Sequence, residues 1–332
     1  MSSRYCIFGC AVLFGTLCFS SPPNADAEVL VSIEDHEAET VYLFSYFKGN
    51  GEDGLHLAYS EDGLTWESLN NDQSFLRPEI SDDRLMRDPS ITRAPDGTFH
   101  MVWTTSWWNH TIGHASSTDL VHWSEQQPID VMMHIPTTRN SWAPEIFYDA
   151  KTEQYVIVWS STIPEQFPET ADSCESGLNH RAYCTTTKDF ETFTPTELFF
   201  DPGFAVIDGF IVPLEDGYKL VYKDETVKPD AKKNLLVAAA EGSLGPYDGE
   251  RKAISPPGVW VEGPSVLRVE ERWIVYFDCY RQHRYGAVTT SDWEAWTDIS
   301  DEISFPQGAR HGTAFPVKRA VVTRIEKLLE QN

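Results

Sequence analysis

Basic residues are scarce in this sequence, and none of them form a large cluster. Lys and Arg together number 26 against 51 Asp and Glu, which gives a formal net charge of −25. The densest basic patch, KPDAKK at 228–233, is short. Because phosphate backbones attract clusters of Lys and Arg, nucleic acid is excluded as a partner. The acidity instead indicates a well-solvated surface and is compatible with a neutral substrate.

Long apolar segments and zinc-type cysteine spacings are also missing. Beyond the N-terminus no stretch is long and apolar enough to cross a membrane, so we expect no membrane association once the leader is removed. Three of the six cysteines lie in the first 27 residues, and no CxxC pair occurs, which argues against a structural zinc site. Cys174 and Cys184 could form a disulfide in an exported protein, whereas Cys279 is expected to be a buried strand residue.

The N-terminus has the features of a secretion signal. Arg4 precedes an apolar stretch at 5–19, and Ala25-Asp26-Ala27 fits a cleavage site. This predicts a secreted or periplasmic protein with a signal peptide at 1–27, one domain at 28–318 and a C-terminal helical tail at 319–332. The segment RIEKLLEQ at 324–331 is the one long stretch with helical periodicity.

A heptad with a hydroxyl residue first, Asp third and an aromatic residue seventh occurs four times. The copies are SEDGLTW at 60–66, STDLVHW at 117–123, TKDFETF at 187–193 and TSDWEAW at 290–296, and EGSLGPY at 241–247 fits as a diverged fifth copy. Two strand-like segments precede each copy and another follows it. Repeats of four short strands predict an all-β, five-bladed β-propeller, with each heptad forming the turn into the outer strand.

The order of the segments also predicts how the ring closes. VYLFSYF at 41–47 lacks a preceding innermost strand, and RHGTA at 310–314 is an innermost strand with only a tail after it. We therefore expect the C-terminal strand to pair with the N-terminal blade, which leaves no long open sheet edge.

Ionisable residues occupy one position of this repeat in all five units. Asp88 and Glu145 each follow a heptad aromatic by 22 residues, and Asp208, Glu262 and His311 each follow one by 15. Since the innermost strands of a propeller line its axis, these five side chains are expected to be equivalent and to surround one mouth of the channel. Crowded carboxyls shift one another's pKa values, and a protonated carboxyl beside an ionised one is what glycoside hydrolysis requires.

The ordered segments RDPSI, WAPEI, VIDGFIV and EGPSV resemble glycoside hydrolase family 43, over about residues 41–317. The resemblance implies an inverting enzyme in which Asp88 is the general base, Glu262 the general acid and Asp208 the residue that orients the acid and adjusts its pKa. At Asp208 this chain has IDG where IDP is common in that family. Glu145 is expected to bind substrate or support the site, and the alternative that it is the acid stays open.

Other side chains near the predicted mouth are candidates for substrate binding. Trp108 and Trp142 could stack on sugar rings or pack within the blades, and Arg87 and Arg139 could bind sugar hydroxyls or form surface salt bridges. His311 could lie near a calcium or other cation in the channel or hydrogen-bond to carboxylates. No cofactor is required by the expected chemistry.

Together these features predict a monomeric exported enzyme that acts on oligo- or polysaccharides of the hemicellulose or pectin type. Among the activities of the family, exo-acting α-L-arabinofuranosidase is preferred over β-xylosidase, arabinanase and galactosidase. Two rival hypotheses are a sialidase-like propeller, for which the sequence has no arginine cluster, and a non-catalytic sugar-binding propeller.

Overall fold

The structure is a computed structural model that describes residues 38–331. These residues form nineteen strands, one α-helix and three short 3-10 helices. The strands are β1 (Thr40–Tyr46), β2 (His56–Ser60), β3 (Glu67–Ser68), β4 (Arg87–Arg93), β5 (Phe99–Thr104), β6 (Ile112–Ser117), β7 (Gln127–Ile129), β8 (Trp142–Asp149), β9 (Gln154–Ser161), β10 (Arg181–Thr187), β11 (Glu197–Phe200), β12 (Val206–Leu214), β13 (Gly217–Asp224), β14 (Asn234–Ala240), β15 (Glu262–Val269), β16 (Arg272–Cys279), β17 (Arg284–Thr290), β18 (Thr297–Asp298) and β19 (Ala314–Lys318). The helices are α1 (Arg319–Leu329) and the 3-10 turns Asn70–Asp72, Pro168–Thr170 and Glu175–Gly177.

The strands form five antiparallel sheets, which are the five predicted blades. Their strand orders are β19-β1-β2-β3, β4-β5-β6-β7, β8-β9-β10-β11, β12-β13-β14 and β15-β16-β17-β18. The pairing of β19 with β1, from Thr40↔Lys318 to Phe44↔Ala314, closes the ring as the sequence predicts. The fourth blade differs from the prediction because it has three strands, and an isolated bridge between Ala239 and Asp248 stands where a fourth strand would pair.

The core lies between the blades. Five hydrophobic clusters fill the five seams, and the second strand of each blade is almost wholly buried because it has a neighbouring blade on both faces. Trp103 and Trp159 are fully buried in this way. Burial on both faces explains why these strands are continuous apolar runs rather than alternating ones.

The four heptads form the predicted turns with the same hydrogen bonds. In the second blade, the Leu120 N–H donates to Ser117 Oγ at 2.8 Å, and the N–H groups of Val121 and His122 donate to Asp119 Oδ1 at 2.9 and 2.8 Å. The seventh residue packs in the seam with the preceding blade, as Trp66 does against Tyr276 of the fifth blade at 5.8 Å between ring centroids. The heptads therefore stabilise the turns and fill the seams between blades.

Helix α1 packs on the seam between the first and second blades through Val322 and Ile325. In the described part of the chain no helix meets the length and apolarity that a membrane crossing requires. Cys174, Cys184 and Cys279 are free and buried, so the disulfide considered between the first two is absent. The predicted signal peptide lies outside the described residues.

Candidate active site

A cavity of about 340 Å³ opens at one mouth of the central channel. Three of the predicted carboxyls and the predicted imidazole line it together: Asp88 on β4, Asp208 on β12, Glu262 on β15 and His311 just before β19. Four separate blades thus contribute to one small site, as the repeat predicts.

A β-bulge in every innermost strand sets the direction of these side chains. Between paired residues of β4 and β5, Asp88 and Pro89 face the single residue Trp103, and the same two-against-one arrangement occurs in the third, fourth and fifth blades. In the second to fifth blades the first residue of the bulge has a positive φ, for example 53° at Asp88 and 58° at Asp208. Bulges re-aim side chains beside active sites, and here they direct two carboxyls to the mouth.

The bulges also show that the predicted equivalence of the five ionisable residues is wrong. Asp88 and Asp208 occupy the bulge position, which Ala143 fills in the third blade. Glu262 lies one place before that position, and Glu145 lies two places after it, where the second blade has Ser90. Counting from the heptad aromatic therefore shifted Glu145 by two residues.

Asp88 is held as a carboxylate by a cationic histidine. His311 Nδ1 lies 3.3 Å from Asp88 Oδ1, and Thr104 donates a hydrogen bond of 2.8 Å to Asp88 Oδ2. Burial alone would raise the pKa of Asp88, but the hydrogen bond and charge of His311 outweigh it and hold that pKa at about 2. Burial lowers the pKa of His311, whereas the charges of Asp208 and Asp88 raise it to about 9.

Asp208 is in the opposite electrostatic situation. Its carboxyl is buried, and Oδ2 accepts one hydrogen bond of 2.9 Å from the Gly263 N–H. Burial raises the pKa of Asp208, and repulsion from Glu262 raises it further, against the opposing charges of His311 and Lys223. The site thus combines one carboxyl whose pKa is held at about 2 with one whose pKa is raised to about 6.

Glu262 is fixed between two cations. Arg310 donates to Glu262 Oε1 at 3.0 Å, and Lys223 Nζ lies 3.3 Å from Oε2. Arg310 also donates to Asp278 Oδ2 at 2.6 Å, and Lys223 also pairs with Glu225 at 2.8 Å. The side chain of Glu262 is 22% exposed, twice the value for Asp88 at 11%, so its carboxyl faces the cavity while its position is restrained.

Glu145 lies further along the channel than predicted. It is buried and lines a second, mainly apolar cavity of about 360 Å³ at the other end of the innermost strands, which Phe210 and Val266 also line. Burial raises the pKa of Glu145 to about 8. The expectation that it occupies the same mouth as Asp88 is wrong.

The predicted aromatic and arginine residues divide between the cavity and its surroundings. Arg87 and Trp142 line the cavity, together with Trp107, whose ring lies 4.4 Å from the Arg87 guanidinium. Trp108 is 56% exposed and packs 5.5 Å from Trp142 outside the lining. Arg139 also lies outside it and donates to the carbonyls of Ser176 and Gly177 at 3.1 Å each. Those carbonyls belong to the long segment at 160–180, so Arg139 restrains that segment.

The described residues contain no group of three or more His, Cys, Asp and Glu side chains arranged to hold a metal ion. The charges of its carboxylate neighbours raise the pKa of His311, the predicted metal-site residue, to about 9. His311 contacts the Asp88 carboxylate, as one of its two interpretations from the sequence expects.

Sequence reasoning missed several polar residues of the cavity. They are Asn50, Thr104, Lys223, Glu225 and Arg310. Arg310 could have been found from the sequence, because it lies directly before the two bulge residues of its strand, as Arg87 and Glu262 do in theirs. Lys223 could also have been found, because it is a charged residue of a second strand and pairs with Ile207, directly before the Asp208 bulge.

Comparisons with known proteins agree with this architecture. A family model for glycoside hydrolase family 43-related domains, described as "Probable glycosyl hydrolase domain", matches residues 37–322. An α-L-arabinofuranosidase of Bifidobacterium longum subsp. longum is 23% identical over 202 residues, which cover 53% of this chain and 18% of that protein. The chain therefore spans less than a fifth of that relative's length.

Two solved structures share the fold. An α-L-arabinofuranosidase from Lactobacillus brevis superposes with a TM-score of 0.50 and 18% identity, covering 64% of this chain and 72% of that one. A thermostable family-43 glycoside hydrolase superposes with a TM-score of 0.52 and 17% identity, covering 68% of this chain and 78% of that one.

Proposed function

The chain belongs to the glycoside hydrolase family 43-related domains, which are glycosidases, and from this premise we propose that it hydrolyses neutral plant-type glycosides with inversion at the anomeric carbon. The observation that carries the mechanism is the electrostatic contrast within one cavity. Asp88 is held ionised by His311, while Glu262 faces the same space from another blade together with Asp208, whose pKa is raised to about 6.

Asp88 is proposed as the general base. It accepts a proton from a water molecule, whose oxygen then bonds to the anomeric carbon as the glycosidic C–O bond breaks. The low pKa of Asp88, about 2, keeps it ready to accept that proton at any pH above the acid range. His311 keeps the carboxylate ionised and is a positioning residue.

Glu262 is proposed as the general acid, the role that the family resemblance gives it. It donates a proton to the departing glycosidic oxygen from the opposite face of the sugar. Arg310 and Lys223 restrain its carboxyl on two sides, and Asp208, which lines the same cavity, is proposed to orient it.

The substrate proposal is exo-acting α-L-arabinofuranosidase. It is supported by the names of the Bifidobacterium and Lactobacillus relatives and by the cavity, whose small volume suits a chain end better than a chain passing through. Trp107 and Trp142 offer apolar faces for a sugar ring, and Arg87 offers donors for its hydroxyls. β-Xylosidase, arabinanase and galactosidase activities are the alternatives within the family.

An aryl glycoside panel tests the proposal. Asp88→Asn and Glu262→Gln should each lower turnover by about 10²–10⁴, with Glu197→Gln on the outer strand β11 as the matched surface control. NMR of the first product should show the inverted anomer. A retained anomer contradicts the mechanism, and unchanged turnover in the two variants would favour the sugar-binding alternative.

The acid is identified by its dependence on the leaving group. A substrate with a strongly acidic phenol needs no proton on its departing oxygen, so Glu262→Gln should recover much of its activity on a dinitrophenyl glycoside but not on a phenyl glycoside. If Asp208→Asn recovers in this way and Glu262→Gln does not, the two roles are exchanged.

Export and metal independence are part of the same proposal. Residues 1–27 have the composition of a secretion signal, and the mature N-terminus should be Glu28 by mass spectrometry of exported protein. The chemistry given above uses side chains alone, so turnover should withstand treatment with EDTA.

A further inference from the structure

A groove of about 440 Å³ lies between the fourth and fifth blades, away from the catalytic cavity. It exists because the fourth blade has no regular outer strand, and the irregular segment at 247–255 runs there instead. The other wall is the turn of the fifth-blade heptad.

Two tryptophans of that heptad line the groove. Trp293 and Trp296 are partly buried, and their ring centroids lie 5.7 Å apart at an interplanar angle of 82°. Trp293 also packs 5.4 Å from Trp273. Held by edge-to-face packing, the Trp293 ring is a rigid apolar surface before any ligand arrives, which lowers the ordering cost of binding.

Polar side chains of both signs complete the lining. They are Lys219, Asp248, Glu250, Lys252 and Glu294. Charges that nearly balance offer hydrogen-bond donors and acceptors without favouring an ionic ligand. Aromatic faces combined with mixed polar groups match the chemistry of a neutral sugar chain, whose rings have apolar C–H faces and hydroxyl edges.

A peptide strand fits this groove poorly. The outer edge of β14 already has partners, because Ala239 exchanges two backbone hydrogen bonds with Asp248, at 2.7 and 3.0 Å, and Leu235 accepts one of 2.9 Å from Ile254. Strand addition needs a free row of backbone groups, which this edge does not offer.

The groove is also separate from the substrate cavity. Innermost strands begin at the catalytic mouth, and the heptads follow the third strands, which end at the opposite face. A ligand in the groove therefore does not extend from the sugar in the cavity.

We propose that this groove is a second carbohydrate site that tethers a neutral stretch of the polysaccharide, a proposal that rests on the glycosidase function argued above. Tethering raises the local concentration of chain ends at the mouth without adding a contact to the reacting sugar.

The test is affinity electrophoresis of the Asp88→Asn protein in native gels containing arabinan, arabinoxylan or galactan. Trp293→Ala removes the stacking surface. Ala239→Gln fills the groove from an exposed position that contributes little packing. Ala295→Gln is the matched control, because Ala295 is an exposed residue of the same heptad outside the groove lining. Thermal unfolding checks that each variant is folded.

We expect at least one polysaccharide to retard the Asp88→Asn parent and its Ala295→Gln variant. The apparent dissociation constants of the Trp293→Ala and Ala239→Gln variants should be about tenfold higher or more. When Trp293→Ala and Ala239→Gln are made in the enzyme that retains Asp88, both should lose activity on that polysaccharide and keep their activity on aryl glycosides. Equal retardation of all four proteins, or none, overturns the groove proposal while aryl glycosidase activity still supports the proposed function. Groove-dependent retardation without any aryl glycosidase activity supports the groove and overturns the proposed function.

Discussion

The contact between His311 and Asp88 leads to a prediction about pH dependence. His311→Asn keeps a donor near the position of Nδ1 but removes the positive charge, and His311→Ala removes both. In the unmodified protein the pKa of Asp88 is about 2, below its ordinary value of 3.8, although burial acts in the raising direction. The favourable partners therefore stabilise the carboxylate by roughly 2 kcal/mol or more.

Without the charge of His311, the charge of Arg87 and the hydrogen bond from Thr104 are left to oppose the desolvation of Asp88. The pKa of Asp88 should rise to about its ordinary value of 3.8 and move the acid limb of kcat/KM upward by about two pH units. The unmodified protein should keep its kcat/KM down to about pH 3, whereas His311→Asn should lose most of it below about pH 4. His311→Ala should show an equal or larger shift, because the hydrogen bond is lost as well.

Initial rates on an aryl glycoside, measured from acid to neutral pH, give both limbs of the profile. His122→Asn is the matched control, because His122 also pairs with an aspartate, at 3.0 Å, but is 63% exposed in a heptad turn. A role in folding alone would lower the plateau without moving the limb. An acid limb that is identical in all variants would refute the assignment of Asp88 as a base held ionised by His311.

Three further predictions follow from the same contacts. Glu145→Gln should change kcat/KM by less than about threefold near pH 6, because burial raises the pKa of Glu145 to about 8 and Gln resembles the protonated acid. A loss of about a hundredfold would instead support Glu145 as the general acid. The pKa of His311 is raised from 6.5 to about 9, so its contribution to stability is fully present below pH 6.5 and is lost as pH rises through 9. The melting temperature should therefore fall between pH 6.5 and 9 more in the unmodified protein than in His311→Asn. Parallel curves of melting temperature against pH would contradict this. Asp119→Ala removes the acceptor of two backbone N–H groups and should lower the free energy of unfolding, measured with urea, by roughly 1–2 kcal/mol. Asp119→Asn keeps an acceptor and should keep most of the stability. If Asp119→Ala were as stable as the unmodified protein, water would satisfy the turn amides as well as the carboxylate does.

The blade count and the ring closure were predictable because the heptad is a local structure. A hydroxyl and an Asp two residues later cap the same turn amides wherever they occur, so four copies mark four blades. The fifth copy lacks this pair. Its Ser243 instead donates to Asp149 of the third blade at 2.7 Å, so the turn into a regular outer strand is not capped, and the fourth blade has three strands.

The grouping of Asp88, Asp208 and Glu262 was also predictable, but the place of Glu145 was not found by counting from the heptads. The connections that follow them differ in length, so they do not preserve register. The bulge does, and its second residue is Pro or Gly in every innermost strand: Pro89, Pro144, Gly209, Pro264 and Gly312. When the innermost strands are aligned on that Pro or Gly, Glu145 lies two positions further along its strand than Asp88. The same alignment gives Arg310 and Glu262 equivalent positions.

The five bulges explain why one repeated backbone can build a site of unlike groups. Each bulge presents its first residue to the mouth, and these residues are Asp88, Ala143, Asp208, Gly263 and His311. Their identities depend on one another. A Cβ at Gly263 would lie 2.4 Å from Cγ of His311, so the missing side chain of one blade makes room for the imidazole of the next. That imidazole holds Asp88 ionised, while the Gly263 N–H donates to Asp208. The small residue is therefore as much a part of the electrostatic contrast as the charged ones, because a larger side chain there would displace the cation on which the proposed base depends.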